Sequence, residues 1–143
     1  MKRNITCMLL TLSLLAVLAG TSLYAQSSSI VKVKIPFDFQ VGTQSLPAGE
    51  YTVTPTNPAL VMIRNKHGQE FAAAVTTDVQ ANPSAGEGKL IFNHYEDYRF
   101  LAQIFIPGET VGRQLLKSNV EQRVAGRTAP SKPTILTAQK ANN

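Results

Sequence analysis

Two short stretches hold most of the side chains able to do chemistry. Residues 93–100 read NHYEDYRF, and residues 67–70 read HGQE. His67 with Glu70, and His94 with Asp97, repeat one His-x-x-acid spacing. Two imidazoles and two carboxylates are the ligand types that hold zinc and activate a bound water. A metal-assisted hydrolase using His67, Glu70, His94 and Asp97 is therefore one expectation. Strand geometry opposes it, because residues three apart point to opposite faces unless a turn redirects them. Other signatures fail residue by residue. GEGKL at 86–90 suggests a phosphate loop, but Pro83 stands where its first glycine belongs and Leu90 where a magnesium-binding hydroxyl belongs. Ser29 and Lys32 have the Ser-x-x-Lys spacing without its companion SDN and KTG motifs, and no G-x-S-x-G occurs. No catalytic set, cofactor motif or resident metal is expected, and the expectation is a protein that is not an enzyme.

The elements that must position these groups follow from periodicity. From Val31 to Val41 the odd positions read Val, Val, Ile, Phe, Phe, Val, and the even ones are polar or proline. One half-buried strand is expected there, with Pro36 marking a sheet edge or a bulge. EYTVTP resumes the alternation with Tyr51 and Val53 inward, and ALVMIRN and EFAAAVTT flank a turn at KHG. KLIFNHY and RFLAQIFI flank EDY, so NHYEDYRF is first of all a hairpin tip, and its acidic residues satisfy turn backbone. Tyr95, Tyr98, His94 and Asp97 are its candidate binding residues. SNVE at 118–121 offers a capping box, with the Ser118 hydroxyl on the Glu121 amide and the Glu121 side chain reaching back. A short helix near 118–125 should lay Val120 and Val124, with Leu115 and Leu116, across the sheet as a lid. Residues 126–143 have few apolar positions and two prolines, and a disordered tail is expected. The fold class is all-β: one antiparallel sandwich or small barrel of six or seven strands over 26–125, with a short C-terminal helix.

Residues 1–25 combine a basic start, an apolar run and small residues up to Ala25, the pattern of a secretory signal peptide. Its run falls short of the roughly 20 apolar residues a spanning helix needs, so no membrane span is expected after its removal. Cys7 leaves with it, and residues 26–143 form a cysteine-free chain bound for the periplasm or the exterior. The net charge of +5 hints at a polyanion. Residues 26–125, however, carry nine basic and nine acidic groups, and the excess lies in the two termini. A neutral, exported domain argues against nucleic acid as partner.

IPFDFQVGTQSLPAGEYTV at 35–53 and KLIFNHYEDYRFLAQIFIPGETVGRQLLKSNVEQRVA at 89–125 resemble an uncharacterised family of short bacterial exported proteins with PFDFxVG, LPAGxYxV and GRxLPxS-like motifs. The likeness covers most of residues 32–125. Glu96 and Leu116 depart from it, standing where the family has glycine and proline, both at turn positions. The resemblance implies export and a β fold, and brings no catalytic residue with it.

Three functions are compatible with these residues. The leading expectation is an exported non-catalytic module, structural or binding an envelope or extracellular macromolecule. The second is a carrier of a small apolar ligand, lined by Phe37, Phe39, Phe71, Phe92, Phe100 and Phe105. The third is the metal-assisted hydrolase.

Overall fold

The structure is a computed structural model that describes residues 30–80 and 87–141, the side chains of Glu70 and Lys140 excepted. The proposed signal peptide and the loop over 81–86 lie outside the described residues. Alternation in the sequence becomes alternation in burial. In β1 (Val31–Ile35) the valines and the isoleucine are buried, and Lys32 and Lys34 are exposed.

The chain continues through β2 (Phe39–Val41), β3 (Gln44–Leu46), β4 (Gly49–Asn57), β5 (Leu60–Asn65), β6 (Glu70–Gln80), β7 (Gly88–Tyr95), β8 (Tyr98–Phe105), β9 (Val111–Leu115), helix α1 (Asn119–Ala125) and β10 (Ser131–Lys140). Neighbours run β8-β7-β10-β1-β4-β5-β6-β9, and β9 returns to β8, closing an eight-strand antiparallel barrel. The hairpin β2–β3 lies outside the ring, attached by a parallel bridge from Gln40 to Phe100.

The all-β class stands, with two corrections to detail. The fold is a barrel rather than a sandwich, and it has ten strands rather than six or seven. The expected strand over 31–41 breaks after Ile35, because Pro36 has no N–H for a ladder. Gly42, at φ 62°, then makes the tight reversal between β2 and β3. The expected disordered tail is the larger error. Its residues 131–140 form β10, which sits inside the ring between β7 and β1. Its alternation is faint because Leu136 and Ala138 turn inward while Ile135 is exposed. With β10 in the barrel, Lys132 and Lys140 join the fold, so the neutral-domain argument fails. Residues 26–143 carry twelve basic against nine acidic groups.

The interior is filled by side chains from every wall. Phe39 packs edge to face on Phe92 and Tyr51, and Phe37 packs the same way on Phe92. Around these rings lie Val33, Ile35, Val53, Val61, Ile63, Leu90 and Ile104. None of the described helices is long and apolar enough to cross a membrane.

Candidate functional site

The stretch 93–100 is shared between the two faces of the β7–β8 hairpin. Phe92 and its partner Leu101 face the barrel core, so the next pair, Asn93 and Phe100, faces the other way. There Phe100 lies 5.9 Å from Tyr95 and 6.2 Å from Tyr98, ring centre to ring centre. Tyr95 is buried at 2 % exposure, and Tyr98 is open at 47 %. Helix α1 covers this outer cluster through Glu121, itself 4 % exposed. The Glu121 carboxylate accepts from Asn93 Nδ2 at 2.8 Å and from the Tyr95 hydroxyl at 3.5 Å.

The expected capping box is therefore half formed. Ser118 Oγ accepts from the Glu121 N–H at 3.1 Å, but the Glu121 side chain bonds to the barrel wall. The lid is also held differently from the expectation. Glu121 is the buried residue of α1, whereas Val120 and Val124 are half-buried beside Arg123 and Arg127, and Leu116 is 57 % exposed. Polar anchoring, rather than an apolar stripe, seats the helix. Tyr95 is accordingly a structural residue, and only Tyr98 of the two tyrosines is open to a partner.

On the other face His94 stands across from Arg99, whose guanidinium lies 4.8 Å above the Phe37 ring. His94 is half-buried, and its Nε2 has no hydrogen-bond partner. Asp97 is exposed at the tip beside Glu96, which takes a left-handed φ of 46°. His67 is exposed in the β5–β6 turn, where Asn65 Oδ1 accepts from the N–H groups of His67 and Gln69. Among the described residues no three His, Cys, Asp or Glu side chains come together, so His67, His94 and Asp97 do not converge as a metal site. The side chain of Glu70 lies outside the described residues. The six phenylalanines do not line one cavity either. Phe37, Phe39 and Phe92 fill the core, Phe71 packs on Tyr51, Phe100 belongs to the outer cluster, and Phe105 lies against Gly112.

The site that sequence reasoning missed is a groove of about 490 Å³ on the outside of the barrel, crossing β10, β1 and β4. Lys32 and Lys34 project from β1, and Lys66 enters from the β5–β6 turn. Glu50, Thr52, Thr137 and Gln139 supply the remaining polar wall. All three lysines are exposed, and among the described residues the one ion pair is Arg113–Glu109, elsewhere on the surface. Glu50, although the cross-strand partner of Lys34, makes no ion pair with it. The floor is rigid. The Tyr51 hydroxyl donates to Pro47 O at 2.7 Å, and burial, followed by the nearby Asp38 carboxylate, raises its pKa and keeps it protonated as a donor. Lys32 and Lys34 were legible as the polar face of one strand. Lys66 joins them only through the β1–β4–β5 pairing, which sequence did not disclose.

Compared with known families, curated proteins and solved structures, the chain matches none.

Proposed function

We propose that the chain is an exported, non-catalytic binding module that holds an acidic macromolecule in the groove across β10, β1 and β4. The observation that carries this reading is the convergence of Lys32, Lys34 and Lys66 on one concave surface with no described ion pair. Cations left uncompensated around a concavity attract and orient an anionic partner. Export, proposed from residues 1–25, places the module in the periplasm or outside the cell, away from nucleic acid. Lys132 and Lys140 of β10 add to the same sign of charge. The packed phenylalanines argue against an apolar-ligand carrier, and the scattered histidines against a metal hydrolase.

Fluorescence anisotropy with labelled poly-L-glutamate, at near-physiological salt, tests the reading. The purified chain should bind, and the variant Lys32→Gln/Lys34→Gln/Lys66→Gln should bind about tenfold more weakly, the scale expected for three exposed ion pairs. No binding by the wild type, or equal binding by the variant, would overturn the proposal.

A further inference from the structure

The groove also lies over an unfinished strand pairing, and from it we infer that the acidic partner is an extended polypeptide added as a strand between β1 and β10. This rests on the reading above and names its ligand. The ladder between the two strands starts with the Ala141 N–H donating to Ile30 O at 2.8 Å and continues through Val31↔Lys140 and Lys32↔Gln139. There it stops. In an antiparallel ladder alternate residues turn both backbone groups towards the same neighbour. Ile30, Lys32 and Lys34 therefore face β10, and Ala141, Gln139 and Thr137 face β1. Lys34 and Thr137, the next pair in this register, are unpaired, and both line the groove. Pro36, two residues further along, has no N–H to offer.

Each strand is held away from the gap by its other neighbour. β1 follows β4 through five pairs to Ile35↔Gly49, and β10 follows β7 from Ala138↔Gly88 to Ser131↔His94. Gly88 draws β10 especially close, since a Cβ there would stand 2.8 Å from Ala138 O. The gap thus presents N–H and C=O groups from both sides, which is what an added strand bonds to. Alternate side chains of such a strand would stand outward beside Lys32 and Lys34, and inward beside Val33 and Ala138, which are buried. The fitting sequence alternates acidic and apolar residues. A polysaccharide or a phosphate would meet the lysines and leave these backbone groups unused.

Labelled peptides of alternating Glu and Val, titrated into the purified chain, test the inference. The plain peptide should bind, and the same peptide with alternate backbone amides methylated should bind about tenfold more weakly, since lost hydrogen bonds are its only change. Exchange of the Lys34 and Thr137 amides, followed by NMR, should slow on binding. Equal binding of the methylated peptide with unchanged exchange would overturn the strand and leave the acidic-ligand reading standing, whereas failure of poly-L-glutamate would remove both. Displacement of the peptide by an equal concentration of inorganic phosphate would also overturn it, as a site for charge alone. Self-association that the peptide does not reverse would make a second copy the occupant and contradict the proposal.

Discussion

Two joins of the barrel are each two residue pairs long, and they end differently. β8 and β9 meet at Gln103↔Gln114 and Ile104↔Arg113, and just past them the Phe105 ring lies over Gly112 where any Cβ would collide with it. Arg113 then ties β9 to the β4–β5 turn, donating to Asn57 O at 3.2 Å and Pro58 O at 2.8 Å. β1 and β10 meet at Val31↔Lys140 and Lys32↔Gln139, and past them stand lysines, an unpaired Lys34 and Thr137, and then Pro36. Backbone pairing is equal in the two places. What closes one join and leaves the other open is the side chains where the strands diverge: a ring over a glycine in the first, mutually repelling cations and a missing donor in the second.

Breaking the closed join should have the largest effect. Gly112→Ala forces the Phe105 ring off β9, and overpacking of this kind costs about 1–3 kcal/mol. Thermal unfolding should show a melting temperature lower by about 10 °C. Next comes the seal over the neighbouring outer face. Glu121→Ala leaves the Asn93 amide and the buried Tyr95 hydroxyl without their acceptor, at about 1–3 kcal/mol, whereas Glu121→Gln keeps a carbonyl oxygen for Asn93 and should cost less. Denaturant melts of the two variants should separate them in that order. The smallest effect belongs to the hairpin tip. Glu96→Gly removes a side chain from a left-handed φ and should stabilise by at most about 1 kcal/mol, read as a small rise in the denaturation midpoint.

The closed regions were more legible in the sequence than the open one. Alternation of Val31, Val33 and Ile35, the hairpin at residues 93–100 and the cap at Ser118 could be read directly, because each is a local pattern with a local cause. Glu96 was marked as a turn position through the family resemblance, and its left-handed φ gives that departure a physical form. β10 escaped notice because its two prolines and exposed Ile135 mask the period, and only its place between β7 and β1 makes it a strand. Glu121 looked like half of a capping box because sequence cannot reveal Asn93 and Tyr95 waiting across 26 to 28 residues of chain. The groove was invisible for the same reason, since Lys66 reaches Lys32 and Lys34 only through the β1–β4–β5 pairing.

Paired cysteines test the open join most directly. A disulfide needs Cα atoms about 4.4–6.8 Å apart, which paired antiparallel strands provide and a splayed pair does not. Under mild oxidation Lys32→Cys/Gln139→Cys, placed on an observed pair, should cross-link, and Lys34→Cys/Thr137→Cys, one step further, should keep free thiols by mass spectrometry. Cross-linking of both pairs to the same extent would mean that the two strands zip past Gln139, and the account of an open, strand-accepting join would be contradicted.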